Sequence, residues 1–152
     1  MNREILFNEI GEILSMYACK LEQFGKLNLL NEHIHSEQFY RDLLNLLYGY
    51  SFRNLNDEHQ NEAGVDLYYQ AEKIVVQISA TATKEKIENS LSKISSKYSG
   101  CRFKFLSISR DADHLREKSY KESTVIFDKS KDIIDISSLL KEIQFLEFGK
   151  LQ

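Results

Sequence analysis

Residues 63–81 read AGVDLYYQAEKIVVQISAT, two apolar strand patterns joined by the short polar connection Gln70-Ala71-Glu72-Lys73. The first pattern carries one acidic residue, Asp66, in apolar and aromatic surroundings. The second, residues 74–80, sets Gln77 and Ser79 in a run rich in isoleucine and valine. Side chains of a strand alternate faces with a period of two. Gln77 and Ser79 are therefore expected on one face, and Ile74, Val76 and Ile78 on the other. An acid on one strand and a polar pair on its neighbour have the pattern of a site.

Downstream, residues 81–100 (TATKEKIENSLSKISSKYSG) predict a helix capped by Thr81 or Thr83, with Ile87, Leu91, Ile94 and Tyr98 inward and Gly100 as its stop. Residues 102–109 alternate as a strand, with Phe103, Phe105 and Ser107 on one face. Residues 110–122 read as a loop or exposed helix, and 124–127 and 131–136 as brief extended runs. Residues 137–148 read as a closing amphipathic helix with Leu139, Leu140, Ile143 and Leu146. Upstream, Leu6, Ile10, Ile13, Leu14, Tyr17, Leu21 and Phe24 recur at helical steps, and Gly25 is the expected stop. Residues 26–34 read as a connector. A second helix is expected from an N-cap at Ser36, with Phe39, Leu43, Leu46, Leu47 and Tyr50 inward. Residues 51–62 read as a polar loop with a short strand at 51–55.

A strand–helix–strand passage between residues 74 and 108 favours a parallel pair with a right-handed crossover. The fold class that follows is α/β, a mixed central sheet flanked by helices with an extra helix at the N-terminus. The expected organisation is a single domain, 1–152, with its core over about 36–148 and residues 1–35 as N-terminal helix and connector.

Composition narrows the function classes. The chain has 152 residues, a net charge of −3 and 42% hydrophobic residues, so a sizeable core is expected and no global attraction to nucleic acid. No apolar run is long enough to span a membrane, and the acidic residues of MNREILFNEI are unlike a secretory leader. A cytoplasmic location is expected. Cys19 and Cys101 are too few for a zinc or disulfide framework and read as two buried thiols. His33 and His35 flank Ile34 without a third ligand nearby, and His59 and His114 stand alone. Neither a nucleophile signature nor a phosphate-binding glycine loop is present.

The candidate chemistry lies with Glu37, Asp66 and Gln77. Hard oxygen donors on neighbouring strands suit Mg²⁺, which needs only one or two carboxylates. Each residue also has a structural reading. Asp66 would satisfy backbone amides, Gln77 would be a bonded buried amide, Glu37 would offset a helix dipole, and Lys84 and Lys86 would be solvated. Tyr68 and Tyr69 are candidates for flanking a groove.

The order helix–strand–strand–helix–strand, with GVD followed by QIS, resembles the restriction-endonuclease-like PD-(D/E)xK fold. The resemblance implies that Asp66 and Gln77 bind the metal, that Glu37 completes the site, and that a lysine should stand at Ser79. With serine there, Lys84 or Lys86 on the next helix becomes the substitute, or activity is lost. HSEQFYRDLLNLLYGYSFRNLND, GVDLY with KIVVQISAT, and KDIIDISSLLKEI are in turn similar to the SMEK domain of bacterial conflict and phage-defence proteins. These resemblances imply a metal-dependent DNA endonuclease effector using Mg²⁺ or Mn²⁺. The alternative is an inactive descendant that binds a partner protein or forms a homodimer. Partners would be DNA and other domains or subunits of a defence cassette, with no membrane.

Overall fold

The computed structural model describes residues 2–25, 30–58 and 62–152. Helix α1 spans Arg3–Gly25 and buries Leu6, Leu14, Ala18 and Leu21 on one stripe. Ile13 and Met16, 71% exposed at Met16, face outward. Helix α2 spans Leu30–Tyr48, so it begins well before the expected cap. Ser36 is a buried residue inside the helix, and of the expected connector only residues 30–34 lie within the described chain, as helix. No glycine or proline interrupts 30–48, and nothing in the local chemistry obliges the helix to wait for serine.

The inward face of α2 also differs from expectation. Ser36, Tyr40, Leu44 and Leu47 point in, while Phe39 and Leu46 lie at the exposed edge. The adjacent pairs Leu43-Leu44 and Leu46-Leu47 make either edge of the stripe apolar, and the bulk of Tyr40 fixes which one packs. Its ring meets Phe39 edge-on at 5.1 Å and lies 6.2 Å from Tyr17 of α1. Tyr40 is fully buried, yet its hydroxyl has no hydrogen-bond partner among the described residues. A buried hydroxyl without a partner costs about 1 kcal/mol or more. Tyr40→Phe is therefore expected to raise the unfolding free energy by about 1 kcal/mol in urea denaturation. A loss of stability would show that the hydroxyl is bonded.

The expected loop at 51–62 holds strand β1 (Arg53–Asn54) and the one-turn helix α3 (Leu55–Glu58). Strands β2 (Leu67–Tyr69) and β3 (Ile74–Ser79) form the antiparallel hairpin, with Leu67 opposite Val76. The turn between them holds Lys73 at φ 54. Helix α4 spans Lys84–Lys93, capped by Thr83, whose hydroxyl accepts from the N–H of Lys86. It stops short of the expected end; a separate 3₁₀ turn at Ser96–Tyr98, capped by Ser95, carries Tyr98 inward.

Strand β4 (Arg102–Ser107) runs parallel to β3, Gln77 beside Phe105, as the crossover argument requires. After it come α5 (Asp113–Arg116), α6 (Lys129–Asp132) and β5 (Ile133–Ile134). The expected strand at 124–127 is one parallel bridge, Ile126 to Arg102, and the run at 131–136 is split between helix and strand. Helix α7 (Ile136–Gln144) opens with a capping box between Asp135 and Ser138 and ends before 148, with α8 (Phe148–Leu151) following. Cys101 is buried as expected, but Cys19 is exposed because Ala18 takes the inward position beside it.

The result is an α/β fold with a five-stranded mixed sheet in the order β1-β2-β3-β4-β5 among the described residues. Ile74, Val76, Ile78, Leu106 and Ile108 pack on one side with Leu14, Leu44 and Leu139. Val75, Phe103 and Phe105 pack on the other with Ile87 and Leu91 of α4. The alternation read from residues 74–80 thus separates two cores, with Gln77 and Ser79 on the α4 side.

Candidate metal-binding site

Asp66 immediately precedes β2, and its backbone N–H already bonds the Val76 carbonyl at 2.8 Å. The turn that delivers it depends on Gly64. At φ +77, a Cβ on this residue would lie 2.5 Å from the Ser90 carbonyl oxygen of α4. Only glycine lets the chain pass so close to the helix backbone. This close passage brings Asp66, Gln77 and Ser90 together.

Asp66 is 8% exposed, and its carboxylate takes donors on both oxygens. Its Oδ2 accepts from Gln77 Nε2 at 2.7 Å and from the Ile78 N–H at 2.7 Å. Its Oδ1 accepts from Asn56 Nδ2 at 3.3 Å. The same Asn56 nitrogen donates to Glu37 Oε2 at 2.8 Å, so one amide links both carboxylates. On the far side, Gln77 Oε1 lies 3.4 Å from the Ser90 hydroxyl, whose one proton is directed mainly to the Lys86 carbonyl at 3.0 Å. Burial and the neighbouring Glu37 carboxylate push the Asp66 acid up to about 7, against the lowering effect of the Ile78 N–H, Asn56 and the Lys86 charge.

Glu37, Asp66 and Gln77 are thus brought together. Glu37 lies well inside α2, so offsetting a helix terminus is not its role. Lys86 is near enough for its charge to act on Asp66, whereas Lys84 pairs with Glu88 at 3.8 Å. Ser79 shares the Gln77 face but turns back on its own chain, its hydroxyl donating to the Thr81 carbonyl and accepting the Thr81 N–H. Sequence reasoning missed Asn56 and Ser90. Ser90 left a trace, as a polar residue three positions from Ile87 on the inner face of α4, while Asn56 lay in a polar segment without periodicity.

The SMEK domain family matches residues 9–144, a span that contains every residue of this network. The chain belongs to the SMEK domain family. No curated protein and no solved structure matches it. Within this SMEK domain the other expected positions take structural roles or fall away. His35 is exposed, His114 Nε2 lies 3.3 Å from the Ala82 carbonyl, and His59 falls outside the described residues, as does the His33 side chain. Tyr68 and Tyr69 lie on opposite faces, Tyr68 against Tyr98 and Tyr69 against Tyr50, and flank no common groove. Asp111, Asp113 and Asp135 bring carboxylate oxygens within 4.8 Å of one another. Arg116 pairs with two of these three, and Asp135 caps α7, so the cluster serves the fold. Among the described residues, no helix of the SMEK domain is long and apolar enough to cross a membrane.

Proposed function

We propose that this SMEK domain is a metal-dependent DNA endonuclease of the restriction-endonuclease-like class, serving as an effector in bacterial defence. The observation that carries the reading is the approach of the Glu37 and Asp66 carboxylates, close enough for one Asn56 amide to bond both; these are the residues that would hold a cation. The element order supports it as well: a helix bearing the acid, three antiparallel strands, a crossover helix and a parallel strand.

Glu37 and Asp66 form a hard-oxygen donor pair suited to Mg²⁺ or Mn²⁺, and Gln77, whose Nε2 faces Asp66 and whose Oε1 faces Ser90, would add an oxygen only with its amide flipped. Such a cation supplies positive charge against a phosphodiester and eases deprotonation of water. The chain does the rest. Gln77 and the Ile78 N–H fix the Asp66 carboxylate, the Ile78 carbonyl holds the Gln77 amide, and Lys86 would supply the positive charge that Ser79 cannot. With a cation held by Glu37 and Asp66, water would replace the bonds that Asn56 now makes to the two carboxylates.

The test is cleavage of plasmid and single-stranded DNA with Mg²⁺ or Mn²⁺. The wild type is expected to cut, and Asp66→Ala and Glu37→Gln to lose about 100-fold or more of the rate. No cutting by the wild type with either cation, alone or with its cassette partners, ends the enzyme reading.

A second reading is a non-catalytic module that binds a partner or dimerises. It is favoured by the saturated Asp66 carboxylate and by Ile13, Met16 and Leu46 exposed on α1 and α2. Sedimentation of the wild type against Met16→Glu with Leu46→Glu separates it. A dimer dispersed by the double variant supports this reading, and a monomer in both cases removes dimerisation.

A further inference from the structure

On the sheet face opposite Gln77, a cavity of about 340 Å³ opens between the end of α2, β3 to β5, α6 and α7. It uses none of the residues of the Asp66 network. Among the described residues its lining combines three cations, two members of an aromatic stack and one carboxylate.

The cations are Lys104, Lys131 and Arg116. Lys104 is held by Asp132, which is fully buried and accepts from Lys104 Nζ at 3.1 Å, from Arg102 at 2.9 Å and from the Asp128 N–H at 2.7 Å. An ammonium has three N–H donors, so two remain for a ligand. Lys131 is exposed and makes no ion pair among the described residues. Arg116 commits its N–H groups to the Ile133 carbonyl, Ser138 and Asp113, and contributes field more than contact.

Two rings of an aromatic stack, Tyr48 and Tyr50, also line the cavity. Tyr48 stacks on Tyr50 at 5.6 Å and 25°, and Tyr50 stacks on Tyr69 at 4.9 Å and 27°. Tyr48 ends the stack, is 37% exposed and lines the cavity. A flat π-face beside lysines suits a stacked base with an attached phosphate. Glu142, the one carboxylate among the described lining residues, is an acceptor suited to ribose hydroxyls. The volume lies at the small end of ligand sites, room for one nucleotide unit.

We propose that this cavity binds a free nucleoside 5′-monophosphate, its phosphate on Lys104 and Lys131 and its base against Tyr48. The site is independent of the nuclease reading and stands or falls without it.

Titration calorimetry of the full chain with AMP, GMP, CMP and UMP, and with inorganic phosphate, tests it. At least one nucleotide is expected to bind saturably, with inorganic phosphate ten-fold weaker or more. Lys131→Glu and Tyr48→Leu, both at the exposed rim, are each expected to weaken nucleotide binding about ten-fold, their thermal transitions showing that they fold. Lys131→Glu carries the test even if Tyr48→Leu is lost to misfolding. The proposal is overturned by the absence of saturable heat with all four nucleotides at millimolar concentration. It is equally overturned by phosphate binding as tightly as the nucleotides, or by an affinity that Lys131→Glu leaves unchanged.

Discussion

Gly64→Ala is expected to destabilise this SMEK domain by about 3 kcal/mol, a large share of the stability of a domain this size. Two costs combine. At φ +77 an alanine occupies a backbone region that costs about 1 kcal/mol for a residue with a Cβ. The new methyl would also lie 2.5 Å from a backbone oxygen of α4, which cannot rotate away as a side chain would. Forcing packed elements apart costs about 1–3 kcal/mol. Urea denaturation with an unchanged m-value checks the figure. A change below about 1 kcal/mol would mean that α4 slides freely, so that the close backbone passage does not fix the helix against the hairpin.

Raising the pH from about 4 to 8 is expected to remove a few kcal/mol of stability from the wild type relative to Asp66→Asn. Burial and the Glu37 charge raise the Asp66 acid to about 7 in the folded protein, from an ordinary value of 3.8. Between these values the folded state holds a proton that the unfolded state has released. The resulting stability is fully present below the unfolded value and is lost as pH climbs through about 7. Asp66→Asn keeps the acceptor for Gln77 and Ile78 and has no proton to lose, so its stability lacks this fall. Asp135 acts in the opposite sense: burial raises its carboxyl, but the N–H groups of Ala112 and Ser138, the Ser138 hydroxyl and Arg116 outweigh that and leave it low. Its contribution is lost as pH falls below the unfolded carboxylate range, outside the Asp66 window. The difference between the two unfolding curves therefore isolates Asp66. A pH-independent difference would show that the proton is not taken up on folding.

The hairpin, the parallel pair and the sorting of residues 74–80 between two faces were legible because strand alternation and the crossover rule act over a few residues. The same local rules narrowed the α4 cap to Thr81 or Thr83, of which Thr83 serves, and brought Asp66 and Gln77 into one site. What they could not reach depends on distant packing. Which edge of the α2 stripe faces inward is settled by Tyr40 against Tyr17, some twenty residues away in the chain. Asn56, the residue joining the two carboxylates, sits in a segment whose polarity looked like that of any loop. The stop of α4 at Lys93 was hidden because Ile94 and Tyr98 keep a helical spacing across a break. The cavity proposed for a nucleotide had no motif at all, since its lining comes from seven separate elements and the segment after α2.

The outer members of the sheet, β1 and β5, are each two residues long, flanking a six-residue pair at the centre. A template so brief offers an incoming extended peptide almost no ladder to lengthen. Recruitment of this domain into a larger assembly by strand addition is thereby discouraged, and so is amyloid-like stacking. Any companion chain must instead be gripped through helical surfaces or loops, where recognition rests on side-chain shape rather than on shared backbone bonds.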